Sequence, residues 1–288
     1  MLRIYHNLLE LAGVFDYFVI DVWGVLHDGQ TPYPGAIPGL RELKRREKRV
    51  LLLSNTPSTT AALIEELGAF GFAPNTYDEV LTSGQVTREM IQKREDQGQS
   101  YYYLGPPKRS GLLAGLGYQP EATLGDSHFL LVTGLDDERP HPADYREILQ
   151  KAGQLRLPMY CANPDLAFSR QDGSIIPCAG RLAREYEDLG GKVHYYGKPS
   201  PAIYHEALAR LGCPIPAQAA AVGDSLATDV KGAKEAGLYA VLLAGGLVVE
   251  QVGSHQPEAI TDYSHRCGLR PDAILQSFTW PSDGAAQN

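Results

Sequence analysis

Asp21 closes the apolar run Phe18-Val-Ile-Asp21 and is followed by Val-Trp-Gly-Val-Leu-His-Asp-Gly29, a turn through glycine. Three more apolar runs end in polar groups. Val50-Leu-Leu-Leu53 leads to Ser54-Asn55, Val193-His-Tyr-Tyr196 to Gly197-Lys198-Pro199, and Ala219-Ala-Ala-Val222 to Gly223-Asp224-Ser-Leu-Ala-Thr-Asp229. Two carboxylates, Asp21 and Asp224, suit a hard divalent ion, since Mg²⁺ takes one or two carboxylates with water and substrate phosphate. A lysine and a hydroxyl can grip phosphoryl oxygens, and an aspartate can attack phosphorus to form an aspartyl-phosphate that water then hydrolyses. Alone, each of these residues reads equally well as a turn or capping residue.

Bringing the four stretches together requires a scaffold in which strand ends converge. In open parallel sheets ligands gather beyond the carboxyl ends of the strands, and buried parallel strands read as continuous apolar runs. The pattern fits. A helical stretch from Gly35 to Arg49 precedes the run at Val50, another at Thr60 to Leu67 precedes Glu79-Val-Leu-Thr82, and helices at Ala202 to Leu211 and Thr228 to Ala236 flank the run at Ala219. Tyr239 to Leu243 supplies a further strand. Strand-helix alternation of this kind predicts a parallel α/β sheet.

Between about Ser83 and Arg184 the alternation restarts with its own elements: a helix at Gln85 to Arg94, strands at Tyr101 to Leu104, Phe129 to Val132 and Met159 to Cys161, and a helix at Asp144 to Ala152. Residues 83–184 therefore read as an inserted domain, residues 1–82 and 185–280 as the core, and residues 281–288 as a frayed tail.

In order and spacing the four stretches resemble the haloacid dehalogenase (HAD) superfamily of phosphotransferases, and within it subfamily IIA of small-molecule phosphatases. Asp21-Val-Trp-Gly-Val-Leu with Tyr33-Pro-Gly-Ala36 is similar to the first motif, Ser54-Asn55 to the second, Gly197-Lys198-Pro199-Ser200 to the third, and Gly223-Asp224 with Thr228-Asp229 to the fourth. Asn163-Pro164-Asp165 followed by Gly180 resembles the subfamily's mobile cap. The resemblance implies a Rossmann-like parallel-sheet HAD core with an inserted α/β cap of the C2 type. It implies Asp21 as nucleophile and metal ligand, Asp224 as second carboxylate ligand, the Trp23 backbone carbonyl as a further ligand, Ser54 and Asn55 as phosphoryl-binding residues, Lys198 as catalytic and substrate-binding cation, and Asp229 as their support. The implied cofactor is Mg²⁺, and the implied reaction is hydrolysis of a small phosphate ester, a sugar or other metabolite.

One position departs from the family. Two residues after the nucleophile the family usually carries a second aspartate, the general acid and base, and here Trp23 stands. General acid-base help contributes ~10²–10⁴-fold, so the sequence fits a slow phosphatase, a transferase, or a protein that binds a phosphate ester without turnover. His27 and Asp28 are nearby substitutes that read first as loop residues. A rival reading starts from Gly223-Asp224-Ser225-Leu226, the signature of GDSL esterases, with Asp262-Tyr-Ser-His265 completing a triad on Ser225; it accounts for only the last part of the chain. Gly105-Pro-Pro-Lys-Arg-Ser-Gly111 is no nucleotide loop, because its prolines remove amide donors, and it reads as a loop of the insert.

Composition narrows the partners. Of 288 residues 43% are hydrophobic and 21% charged, enough apolar material for a core and too little charge for disorder. The net charge of -8 argues against a nucleic-acid backbone. No run is long enough to span a membrane, Asn7 and Glu10 interrupt the first apolar stretch, and Cys161, Cys178, Cys213 and Cys267 are scattered as reduced thiols would be. These features predict a cytoplasmic protein with neither nucleic acid nor membrane as partner; the family resemblance implies a small phosphorylated metabolite as the partner. A homo-oligomer is allowed by the sequence without being required.

Overall fold

The computed structural model describes residues 2–94, 98–169 and 175–281. Tight contacts divide the chain into two units, one of Met1–Ser54, Leu63–Leu81 and Lys198–Asn288, the other of Asn55–Ala62 and Thr82–Gly197. The fold is α/β.

The first unit is built on a seven-stranded sheet. Its order is Arg3–Tyr5, Ala273–Leu275, Tyr239–Leu243, Ala219–Gly223, Tyr17–Asp21, Arg49–Ser54 and Glu79–Thr82. From Arg3–Tyr5 across to Arg49–Ser54 every neighbour runs parallel. Phe18, Ile20, Val50, Leu51 and Leu52 are fully buried, as continuous apolar runs demand when both faces of a sheet are covered. Helix Ala36–Arg45 shows how local sequence serves this core. Ala36, Gly39, Leu40 and Leu43 form its inward stripe, and Lys44 at its end bonds Asp78 at 2.6 Å. The central pairing sets Tyr17 to Ile20 beside Ala219 to Val222, so Asp21 and Gly223-Asp224 leave the same edge of the sheet side by side.

The second unit has its own five-stranded parallel sheet, ordered Val193–Tyr195, Met159–Cys161, Phe129–Val132, Ser100–Leu104 and Gln119–Pro120, and an antiparallel ribbon, Ala167–Ser169 with Ile175–Pro177. One face packs Leu130, Val132, Tyr145, Leu149 and Tyr186; the other packs Ile91, Leu112, Phe129, Leu131 and Tyr160.

Two sequence expectations change here. Strand Val193–Tyr195 was expected to resume the core sheet, but it pairs in register with Met159–Cys161, and the chain stays in the second unit as far as Gly197, beyond the expected boundary at 184. Helix Thr228 to Ala236 begins instead as a wide π-type turn, Leu226–Val230, before helix Lys231–Glu235. Of the expected tail, only Pro281 lies within the described residues. Cys161, Cys178, Cys213 and Cys267 are unbridged, and among the described residues no helix is long and apolar enough to cross a membrane.

Candidate active site

The strand Tyr17–Asp21 delivers Asp21, only 8% exposed, at its carboxyl end. Its Oδ1 accepts a hydrogen bond from Lys198 Nζ at 2.5 Å, and the same ammonium donates to Asp229 Oδ1 at 2.7 Å. Asp229 is held from the other side, its Oδ2 accepting the Ser225 N–H at 3.1 Å. Tyr204, on helix Pro201–Leu211, donates its hydroxyl to the Asp229 carbonyl at 3.2 Å and so supports the wide turn. Such π-type turns recur at functional sites because they widen the spacing of the side chains they present.

Asp224 completes the cluster. One oxygen from each of Asp21, Asp224 and Asp229 lies within 4.8 Å of the others, and all three residues are buried. Three carboxylates against one ammonium leave a formal charge of -2 when all are ionised. Burial pushes Asp21 up to about 7, with Lys198 opposing the rise and Asp229 adding to it. Burial, then the charges of Asp21 and Asp229, drives Asp224 well above the usual carboxylate range. An oxygen-rich, negatively charged, buried set is what a hard divalent cation requires, so these residues fit one.

Two glycines that the sequence reading passed over shape the Asp224 pocket. A Cβ on Gly24 would lie 1.9 Å from Asp224 Oδ2, and one on Gly246 would lie 2.0 Å from the same oxygen; both residues have positive φ. The Leu247 N–H donates to that oxygen at 2.7 Å. The signal was present in Gly245-Gly246 after the apolar run at Tyr239, a strand end of the same kind as the others.

Ser54 ends the strand Arg49–Ser54 and is buried. Asn55, the next residue, belongs to the second unit, where its Nδ2 donates to Asp165 Oδ1 at 2.8 Å. Lys198 does not come from a core strand end as expected: it is the first residue of the re-entrant chain, after Gly197 and before helix Pro201–Leu211.

Trp23 is 37% exposed, with its ring over Gly29 and edge-on to His27. His27 is 1% exposed, its Nδ1 accepts the Gly29 N–H at 3.0 Å, and burial pushes it down to about 4. A neutral, enclosed imidazole cannot serve as acid at neutral pH. Asp28 Oδ1 accepts the N–H groups of Gln30 and Thr31 at 2.8 Å each, the work of a turn residue. The esterase reading also fails: Ser225 is buried and caps the turn by accepting the Thr228 N–H at 3.3 Å, and among the described residues no hydrogen bond joins it to His265.

Comparison with known proteins agrees with this architecture. A haloacid dehalogenase-like hydrolase family model matches residues 18–119, and a HAD-hydrolase-like model matches residues 195–279. A crystal structure of a haloacid dehalogenase-like hydrolase from Brucella suis 1330 superposes with a TM-score of 0.83 at 31% identity, covering 96% of this chain and 100% of that one. The chain belongs to the haloacid dehalogenase-like hydrolases. This HAD-like hydrolase is also 28% identical to human glycerol-3-phosphate phosphatase, over 91% of the chain and 88% of that protein. It is 26% identical to the D-glycerol 3-phosphate phosphatase of Mycobacterium tuberculosis over 83% of its own length, and spans 65% of that relative. A glycerol phosphate phosphatase from M. tuberculosis, solved in complex with calcium, matches with a TM-score of 0.64 at 25% identity, covering 82% and 68% of the two chains.

Proposed function

We propose that this HAD-like hydrolase cleaves phosphate monoesters of small metabolites through an aspartyl-phosphate on Asp21, with Mg²⁺ as the metal and glycerol phosphate as the first substrate to try. The observation that carries the reading is the bridge from Asp21 Oδ1 through Lys198 Nζ to Asp229 Oδ1, with Asp224 beside it. The two relatives whose names specify glycerol 3-phosphate support the substrate class.

In this mechanism an Asp21 oxygen attacks phosphorus, the bond from phosphorus to the ester oxygen breaks, and the alcohol leaves; water then cleaves the Asp21-phosphoryl bond, releasing inorganic phosphate and restoring the carboxylate. Lys198, bonded to Asp229, would offset charge on the phosphoryl oxygens, and the Ser54 hydroxyl would bind them. Asp21, Asp224 and the Trp23 carbonyl would hold the Mg²⁺, which supplies the positive charge that keeps Asp21 ionised in a buried site. The departing alcohol needs a proton, and Trp23 stands where the family's acid would be. Turnover should therefore be slow on alkyl esters.

The test is steady-state hydrolysis of p-nitrophenyl phosphate and D-glycerol 3-phosphate, with Mg²⁺ and after chelation, by wild type and Asp21→Asn. Activity that survives in Asp21→Asn rules out the aspartyl-phosphate. A second reading, a phosphate-ester binder without turnover, rests on Trp23 alone. It is favoured if both esters bind and neither is cleaved by any variant.

A further inference from the structure

Trp23 enters the chemistry above only through its backbone carbonyl and through the acid it replaces; its side chain has no use there. From Phe18 to His27 every residue is buried except Trp23, which is 37% exposed. The chain around it is tightly held. The Leu26 N–H donates to the Val22 carbonyl at 2.9 Å and the Gly24 N–H to the His27 carbonyl at 3.0 Å, which closes a loop directly beyond the strand that ends in Asp21. The indole lies against Gly29, where a Cβ would come within 2.2 Å of its Cη2 and where a φ of +88° also favours glycine. His27 meets the indole edge-on with ring centroids 5.5 Å apart, and Phe70 backs His27 at 4.8 Å.

All of these residues belong to the first unit, as do Asp21, Lys198, Asp224 and Asp229. Two residues of chain span at most about 7 Å, so Trp23 is tethered beside Asp21. On its other side Gly24 lies flush against Asp224 Oδ2. The side chain between these two neighbours therefore borders the space where an ester attacked by Asp21 must lie. A tryptophan held in this way offers a large, rigid contact area at little cost in conformational entropy, and ligand sites are commonly lined by such rings. An indole cannot supply the proton that the departing alcohol needs, but it attracts a second ring.

We propose that Trp23 is a specificity-determining platform on which a ring of the substrate's alcohol part lies. The proposal deepens the phosphatase reading and rests on it. The substrate class then becomes a phosphate monoester that carries a flat ring close to the ester oxygen.

Benzyl phosphate, D-glucose 6-phosphate and ethyl phosphate all join the phosphate to a CH2 group, so the missing proton donor handicaps them alike. The first adds an aromatic ring, the second a sugar ring and the third a methyl group. Wild type should favour a ring ester over ethyl phosphate in kcat/KM, and the ring that ranks higher names the source. Trp23→Leu, which keeps apolar bulk and loses the ring, should lower that preference by roughly two- to tenfold, the range for a lost ring pair, and Trp23→Phe should keep most of it. No preference in wild type, or an unchanged ratio in Trp23→Leu, overturns the platform and leaves the phosphatase intact. An equal loss on all three esters does the same, since it assigns Trp23 to holding its loop. The chain has two tryptophans, so Trp280→Phe leaves Trp23 to report binding by fluorescence. In that variant a ring ester should quench or shift the emission, and ethyl phosphate and inorganic phosphate should not. Such a signal without turnover by wild type supports the platform and overturns the reaction, whereas no signal from either ring ester overturns the platform.

Discussion

Metal binding at the proposed site should depend strongly on pH, because its carboxylates are buried. Asp21 is pushed up to about 7 and Asp224 is raised as well, chiefly by burial. A carboxylate must be ionised to hold a cation, so binding displaces protons wherever the free group is protonated. For one group titrating near 7, the ionised fraction drops from about nine-tenths at pH 8 to about one-tenth at pH 6, roughly tenfold in apparent Mg²⁺ affinity; the drop is steeper if Asp224 titrates in the same range. An ordinary carboxylate, with a pKa near 4, would give no change across that interval. The stability of the cation-free protein moves the other way. Because the folded pKa of Asp21 is raised, its contribution is full below the unfolded value near 4 and is lost as pH rises through about 7, on the order of a few kcal/mol. Cation-free protein should therefore melt at a lower temperature at pH 8 than at pH 6, and Mg²⁺ should raise the melting temperature most at pH 8. Calorimetric titration at pH 6, 7 and 8, in two buffers of different ionisation enthalpy, measures affinity and proton release together, with Asp224→Ala as the control that should lose the metal. Flat affinity and no proton release at pH 6 would refute the reasoning.

Trp23→Asp should restore the missing acid and raise turnover of alkyl esters by up to ~10²–10⁴-fold, with little gain on p-nitrophenyl phosphate, whose leaving group needs no proton; equal change on both esters would remove Trp23 from the argument. Gly246→Ala places a Cβ 2.0 Å from Asp224 Oδ2 at a φ of +51°, so it should weaken Mg²⁺ binding while circular dichroism shows the fold retained. His27 is held near 4 by burial against an unfolded value near 6.5, so its contribution to stability is lost as pH falls from 6.5 through 4, about 3 kcal/mol in all. Urea midpoints at pH 7 and 4.5 should drop less in His27→Gln than in wild type, and an equal drop would assign the acid loss to other groups.

The carboxylates of the proposed site were legible as strand-end residues. Asp21 and Asp224 each end an apolar run, and buried parallel strands leave polar groups at their carboxyl ends. Ownership of strands was not legible. Val193–Tyr195 has the same character as the core strands, and since both sheets are parallel and helix-flanked, pattern alone does not say which one it joins. Short strands were also missed: Arg3–Tyr5 and Ala273–Leu275 have three residues each and gain their stability from pairing with each other and with Tyr239–Leu243. The closeness of Gly24 and Gly246 to Asp224, like the seating of Trp23 on Gly29, arises where distant segments meet, and no local propensity encodes it.

The pairing of Tyr17–Asp21 with Ala219–Gly223 also sets when this enzyme can fold. The middle of the core sheet joins the start of the chain to its last third, and the ion pair at its edge closes a separation of 177 residues. Loop closure over such a span costs entropy before any contact repays it, and long-range parallel pairing is slow. During synthesis the apolar strand ending in Asp21 has one neighbour, Arg49–Ser54, and an open edge until Ala219 emerges, whereas the five-stranded sheet of the second unit has all its strands by Tyr195. Chains arrested before Ala219 should thus be protease-sensitive in the first unit and resistant in the second. The charges of the proposed site come together only once Asp224 and Asp229 have been made, so chains arrested earlier should carry no complete site.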